Sequence, residues 1–385
     1  MSAYGVPAVG RPAHAAPAGA VLAIDPAAVA ANTRVLAAAT TAAVMAVVKA
    51  DGFGHGAALV ARTALTNGAS WLGVTSLSEA LELRAAGIGA PVLSWLNTVD
   101  ADFGAAVAAG VDVAVPSLQH LEAVLAAGGR ARVHLHLDTG LARDGAEPET
   151  WAALCRLARR AERCGRLQVV GVMGHLPCAD EPGHPANSLA KTRFAWGVRV
   201  AHAAGLRPEH RHLAATAATL TDPLSHHTLV RVGAGLVGID PSGTTALAGA
   251  LTLTAPVVSV RRVRGGTGVG YGHLWSTTGP TTLGLLPLGY ADGLPRVASG
   301  RAEVLVRGRR RPVVGRISMD QTVVDLGDLG VLPGETATVL GPGRDGEPTA
   351  AEWAAWSDTL PHEVVTGFGP RVARSVHRAG PRVVA

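Results

Sequence analysis

From residue 21 to about 238 the chain alternates short β-branched runs with alanine-rich stretches of helical spacing. Ala43 to Val48, Trp71 to Thr75, Pro91 to Trp95, Asp112 to Val115, Arg132 to Leu137, Leu167 to Met173, Arg211 to Ala214 and Gly235 to Gly238 read as strands. Pro26 to Ala39, Leu77 to Ala86, Leu118 to Ala127, Glu149 to Cys164 and Asn187 to Ala204 read as helices between them. Eight strands alternating with helices over roughly 220 residues predict an α/β fold, a closed parallel (β/α)8 barrel of the TIM type. A doubly wound open sheet is the competing arrangement.

After residue 248 the period changes to two. Leu251 to Val263, Thr281 to Leu288, Ala302 to Val306, Pro312 to Ile317 and Thr322 to Leu326 alternate apolar with polar positions, separated by glycine and proline. This predicts a mostly antiparallel β domain, interrupted by one helix near Ala350 to Trp356. The expected organisation is a Pro/Ala/Gly tail over 1–20, a barrel over 21–247 and a β domain over 248–385.

Composition narrows the function classes. With 48% hydrophobic and 16% charged residues the chain can fill a large core, which excludes wholesale disorder. No stretch reads as a spanning helix, and the N-terminus lacks a charged start followed by a continuous apolar region, so no membrane partner and a cytoplasmic location are expected. Cys155, Cys164 and Cys178 have no metal or redox spacing and read as reduced thiols. The net charge of +5 comes from scattered arginines. Only Arg309 to Arg311 forms a basic run, without interleaved aromatics, and it reads as a solvated turn rather than a nucleic-acid surface.

Of the 34 basic residues only Lys49 and Lys191 are lysines. In a barrel the active site lies at the C-terminal ends of the strands. Lys49 ends the apolar strand VMAVVK, before the glycine-rich turn ADGFGHG. Apolar packing there would destabilise an ammonium and leave an amine able to form a Schiff base; from position alone, a lysine capping a strand in water fits equally well. Lys191, within SLAKTRFAW, reads as an exposed helical side chain.

The string VVKADGFGHG resembles the pyridoxal-phosphate signature of alanine racemases. The resemblance continues in order through LDTGLARDG, GHLPCADEP, HLAATAATL, VRVGAGLVGIDP, VGYGHLW, PLGYADGLPR and VGRISMDQTVVDLGD. It implies a barrel followed by a β domain, pyridoxal 5'-phosphate as cofactor, and racemisation of a small amino acid, L-alanine to D-alanine by default. Lys49 matches the family's Schiff-base lysine and Tyr271 the tyrosine serving the opposite face of the substrate. Two proton carriers on opposite faces are what inversion of a planar carbanion requires. Arg231 matches the arginine facing the pyridine nitrogen, where a donor-only guanidinium keeps that nitrogen unprotonated. His175 matches a histidine packed beside it. Arg143 matches an arginine reaching toward cofactor and substrate carboxylate, Met319 and Asp320 match substrate-side groups, and Tyr290 matches a residue of the substrate channel. In the family the tyrosine and the Met-Asp pair enter the partner subunit's site, which implies a homodimer with composite sites.

Several positions depart from the family pattern. Phe53 and His362 stand where phosphate-side tyrosines are usual, and Ala215-Thr216 replaces Asn-Ser, leaving Thr216 with a hydroxyl beside the backbone of Gly233 and Ala234. His136 occupies the position of an often carbamylated lysine, and Val237 that of another tyrosine. These changes admit racemisation or epimerisation of a different amino acid as an alternative. Decarboxylation is disfavoured by Tyr271 and Arg231, and a non-catalytic cofactor carrier by the presence of the β domain.

Overall fold

The computed structural model describes residues 19–377; of the tail expected over 1–20, all but the last two residues lie outside the described residues. The described chain divides into two units. One comprises 19–23, Thr252–Thr359 and Gly367–Ser375; the other comprises Ile24–Leu251, Leu360–Thr366 and 376–377.

Strand β1 (Val21–Ile24) joins a sheet of the first unit. The second unit is the barrel, with strands β2 (Ala43–Val47), β3 (Trp71–Val74), β4 (Val92–Ser94), β5 (Val111–Val115), β6 (Ala131–His136), β7 (Leu167–Met173), β8 (His210–His212) and β9 (Leu229–Val232). They run in the order β9-β2-β3-β4-β5-β6-β7-β8, and every recorded pair is parallel. Between β8 and β9 the Thr228 amide donates to the Arg211 carbonyl at 3.2 Å and the Arg231 amide to the Ala214 carbonyl at 3.0 Å, which closes the ring. The expected helices form at Pro26–Ala38, Leu77–Ala85, Leu118–Ala126, Pro148–Arg163 and Pro185–Ala203. Ala57–Leu65, Phe103–Ala108 and Thr216–Thr221 add helices that the pattern did not single out.

The eighth strand differs from the expectation. It is Leu229–Val232, and the Gly235–Gly238 stretch forms a 3-10 turn over Ala234–Val237 that stops at Gly238 with φ 95°. The β-branched Val230 and Val232 suit a pleated ladder. Gly235 instead serves close approach, since a Cβ there would stand 2.8 Å from Thr216 Cγ2.

Strand alternation sets the interior. Met45, Trp71, Leu93, Ala114, Val170, Met173 and Leu229 form one buried apolar cluster. By the same two-residue period Lys49 follows Met45, Asp112 precedes Ala114, and Arg231 follows Leu229, so polar residues share the inward rows. The β6–β7 register shifts by one residue between Val133, opposite Val169, and His134, opposite Gly171. Glycine is required at 171, because a Cβ would lie 2.2 Å from His134 Nδ1.

In the other unit, β10 (Leu251–Pro256), β11 (Ser259–Val263), β12 (Gly268–Val269), β13 (Trp275–Ser276), β14 (Thr281–Leu286), β15 (Glu303–Val306), β16 (Arg309–Pro312), β17 (Thr322–Asp325), β18 (Thr336–Leu340) and β19 (Ala373–Val376) form three sheets. Their orders are β16-β15-β18-β10-β1-β19, β11-β14-β17 and β12-β13. Leu251–Val263 is therefore two strands in different sheets. The Arg309–Arg311 run is not a solvated turn. It lies in the edge strand β16 after the tight turn Arg307-Gly308, with Arg310 paired to Glu352 at 3.0 Å and Arg311 near Asp325 at 4.0 Å. Charged side chains on an edge also discourage further strand pairing. Strand structure ends at Pro312; Val313 contributes only an isolated bridge to Val324. No helix among the described residues is long and apolar enough to cross a membrane.

Gly171→Ala should destabilise the barrel by about 1–3 kcal/mol, because the added methyl must displace a buried ring. Urea unfolding measures this; an unchanged midpoint would show that the His134 ring is not fixed there.

Candidate active site

Lys49 follows β2 directly and opens a turn of unusual hand. Ala50, Asp51, Gly52 and Phe53 have φ of 50°, 52°, 62° and 58°, so four successive residues are left-handed. Such backbone costs non-glycine residues roughly 1–2 kcal/mol each and persists only when its surroundings hold it. Glu79 supplies that hold. One carboxylate oxygen accepts from the Ala50 amide at 2.8 Å, and the other accepts from the Thr75 amide at 2.8 Å, the Thr75 hydroxyl at 2.8 Å and the Ser76 amide at 3.1 Å. Asp51 closes the far end by accepting from the Ala57 amide at 2.8 Å. Burial pushes the Glu79 carboxyl up, but these donors outweigh it and hold its pKa below the usual value. For Lys49, burial and then repulsion from Arg143 lower the amine's pKa; Arg231 adds to this and Glu79 opposes it.

Arg231 projects from β9 and is buried. One terminal nitrogen donates to His212 Nδ1 at 3.0 Å and the His212 carbonyl at 2.9 Å; the other donates to the Gly174 carbonyl at 2.7 Å and His175 Nδ1 at 3.1 Å. Those contacts engage the four terminal hydrogens, and among the described residues Nε–H has no recorded acceptor. Burial lowers the guanidinium pKa to about 10, leaving it cationic at neutral pH. Burial and Arg231 together lower His175 to about 3, so its ring is neutral and accepts. Behind Arg231, His212 Nε2 lies 2.9 Å from His134 Nδ1, and His134 Nε2 lies 3.2 Å from Asp112 Oδ2.

A third group surrounds the left-handed turn. The Phe53 ring faces Gly233, where a Cβ would stand 2.9 Å from it, and lies 6.3 Å from the His362 ring. His362 Nδ1 is shielded from solvent without a partner among the described residues. Thr216 Oγ1 accepts from the Gly233 amide at 3.2 Å and the Gly235 amide at 3.3 Å, leaving its hydroxyl hydrogen and the Ala234 amide as donors. Ala215 caps the Thr216–Thr221 helix through its backbone alone, and Val237 is buried.

His136, at the end of β6, approaches Asp144 to 3.4 Å. Burial pushes the Asp144 carboxyl up, but His136 and the Gly145 amide bring it below the usual value. Arg143 is exposed. Lys191 is not simply solvated, since it pairs with Asp222 at 2.8 Å.

The β unit assembles its own cluster. The Tyr290 and Ala291 amides donate to the Ser318 and Met319 carbonyls, both at 3.0 Å. Arg371 bridges Asp292 at 3.1 Å and Asp320 at 2.7 Å. Tyr271 sits in a 3-10 turn flanked by Gly270 and Gly272, whose missing Cβ positions face Arg316, and its side chain is 72% exposed. Met319 is also bare, at 53%.

Glu79, Asp112, His134 and His212 were not singled out from sequence. Glu79 was legible as the last residue of a Ser76-x-x-Glu79 capping box. The histidines were legible as alternating polar residues on strands whose interior should be apolar.

An amine of lowered pKa at the mouth of a parallel barrel, a buried arginine with one uncommitted donor, and a hydroxyl, an amide and an unpartnered imidazole nitrogen around the left-handed turn together suit a phosphorylated aldehyde with a ring nitrogen. They define a barrel enzyme of the pyridoxal-phosphate class. The family model for the alanine racemase N-terminal domain matches residues 24–241 and that for the C-terminal domain matches 250–376. An alanine racemase from Streptomyces coelicolor is 49% identical over 367 residues, spanning 91% of this chain and 94% of the relative. The crystal structure of alanine racemase from D-cycloserine-producing Streptomyces lavendulae superposes with a TM-score of 0.92 at 44% identity, covering 95% of this chain and 98% of that one. An alanine racemase from Bartonella henselae, solved with covalently bound pyridoxal phosphate, superposes with a TM-score of 0.85 at 26% identity, covering 94% and 100%. The chain belongs to the alanine racemase family.

Glu79→Ala should cost about 1.5–3 kcal/mol at pH 7 through loss of charge-assisted hydrogen bonds. Because the folded pKa of Glu79 is depressed, its contribution is complete above the unfolded carboxyl pKa of about 4.3 and fades as pH falls through the lower folded value. Urea titrations at pH 7 and pH 3 should therefore show a gap between wild type and variant that narrows at the acid end; a gap independent of pH would contradict this role.

Proposed function

We propose that the protein interconverts L- and D-alanine, with pyridoxal phosphate held on Lys49. The observation that carries this reading is the half-buried Lys49 amine within electrostatic reach of Arg231. Bound there, the cofactor supplies an electron sink that makes the α-proton of an amino acid removable. Lys49 Nζ takes or returns that proton on one face, and the lowered amine pKa makes the neutral, accepting form available nearer neutral pH. The Tyr271 hydroxyl serves the other face. Arg231, whose Nε–H is free, would face the ring nitrogen and, being donor-only, would leave that nitrogen without a proton. The cofactor would then be a weaker sink, which favours return of the proton to carbon.

The Thr216 hydroxyl, the Ala234 amide and His362 Nδ1 would hold the phosphate, with Gly233 fixing the Thr216 oxygen and Phe53 walling the turn. His175 completes the shell of Arg231. Arg143 would receive the substrate carboxylate, with Met319, Asp320 and Tyr290 on the substrate side. The bare Tyr271 and Met319 side chains support a homodimer in which each β unit completes the partner's site. The three cysteines are free, which supports a cytoplasmic location.

Borohydride treatment of the purified protein should fix the cofactor on Lys49, and labelling of Lys191 instead would sink the assignment. In deuterium oxide, L-alanine should lose its α-proton and yield deuterated D-alanine. Tyr271→Phe should lower racemisation by about 10²–10⁴-fold, as removal of a general acid–base does. If alanine shows no exchange while another amino acid in a panel does, the substrate assignment is wrong.

A further inference from the structure

Arg231 is a buried cation whose recorded contacts are two histidine nitrogens and backbone carbonyls, with no carboxylate among them. An isolated charge in such a place is costly unless something compensates it. The chain of groups behind it ends on a carboxylate. We propose that Asp112 is a positioning residue of Arg231, acting through His134 and His212 to fix which guanidinium hydrogens remain for the cofactor.

The hydrogen-bond directions follow from chemistry. Guanidinium nitrogens only donate, so His212 Nδ1 must accept from Arg231. The His212 proton then resides on Nε2 and is donated to His134 Nδ1 at 2.9 Å. His134 consequently carries its own proton on Nε2 and donates it to Asp112 Oδ2 at 3.2 Å. Each imidazole uses both nitrogens, one accepting and one donating, and any other neutral tautomer leaves a buried clash of donors or acceptors.

The surroundings support this ordering. His134 and His212 are fully buried and Asp112 nearly so. Burial and the nearby Arg231 hold His212 well below the usual histidine pKa, so it stays neutral. Burial pushes Asp112 up, but the hydrogen bonds from His134 and Arg132 and the charge of Arg132 bring it below the usual carboxyl value, so it stays ionised. Arg132 grips Asp112 through two nitrogens, at 2.7 and 3.2 Å. Trp71 packs edge-on to His134 at 5.6 Å and fixes that ring's plane. Gly171 leaves the space that the ring occupies, so the β6–β7 register shift is part of the same device. The effect on turnover rests on the proposed function; the tautomers do not.

The test is a long-range ¹H–¹⁵N NMR spectrum of the full-length protein labelled with ¹⁵N-histidine, at pH 7, with the signals identified by their loss in His134→Gln and His212→Gln. Both rings are expected to be neutral with the proton on Nε2, and a doubly protonated or Nδ1–H ring at either position overturns the relay even if every Asp112 variant fails to fold. In Asp112→Asn the His212 signals should move and kcat with alanine should fall by about ten- to a hundredfold, the range for losing a hydrogen bond to a charged group, with KM little changed. Asp112→Glu should recover part of the loss. Unmoved His212 signals, or unchanged kcat, in a folded Asp112→Asn protein would also overturn the relay. A wild type with the expected tautomers but no alanine turnover would count against the function, not the hydrogen-bond chain.

Discussion

A guanidinium buried in the interior of a parallel barrel is the constraint on which the rest of this structure depends. Barrel interiors are ordinarily layered with branched apolar side chains. Here Met45, Leu93, Ala114 and Leu229 fill that role, while Arg231 and its partners occupy neighbouring inward positions. A polar group so placed must have its hydrogen bonds satisfied. The carbonyls at the ends of β7 and β8, the two flanking histidines and the glycine at 171 can be read as answers to that demand. The result is a cation that is fixed, cannot give up its proton at neutral pH, and has one donor left.

The second element of the site is strained rather than polar. A left-handed turn of four residues after Lys49 is unfavourable for Ala50, Asp51 and Phe53, and it is held by a carboxylate in the first turn of the Leu77–Ala85 helix. The same Glu79 acts electrostatically on Lys49, opposing the lowering of its pKa by burial and by the arginines. One side chain thus holds the backbone of the turn and also acts on the lysine. The turn also brings Phe53 against Gly233 and His362, so the lysine and these residues are positioned together.

Much of the architecture was legible in the chain because both units bury one face of strongly periodic segments. The barrel strands, the longer helices and the change to period two after residue 248 could be read directly. The closing strand was misplaced because Gly235–Gly238 lies in an apolar run beside the true strand, and only packing against Thr216 and Leu36 shows that it must turn. The Arg309–Arg311 run looks like a solvated turn in sequence because its carboxylate partners, Glu352 and Asp325, are distant along the chain. Lys49 could be found by position. Its electrostatic setting, the hand of the turn and the Asp112–His212 chain could not, since these depend on contacts among separate strands.

In the proposed function, Arg231 leaves the ring nitrogen of the cofactor unprotonated, so that proton return outcompetes other fates of the substrate. The most direct measurement is the ¹⁵N chemical shift of that nitrogen in protein reconstituted with ring-¹⁵N pyridoxal phosphate. An unprotonated pyridine shift, constant across neutral pH and lost in Arg231→Glu, is the predicted result. A pyridinium shift in the wild-type protein would contradict it.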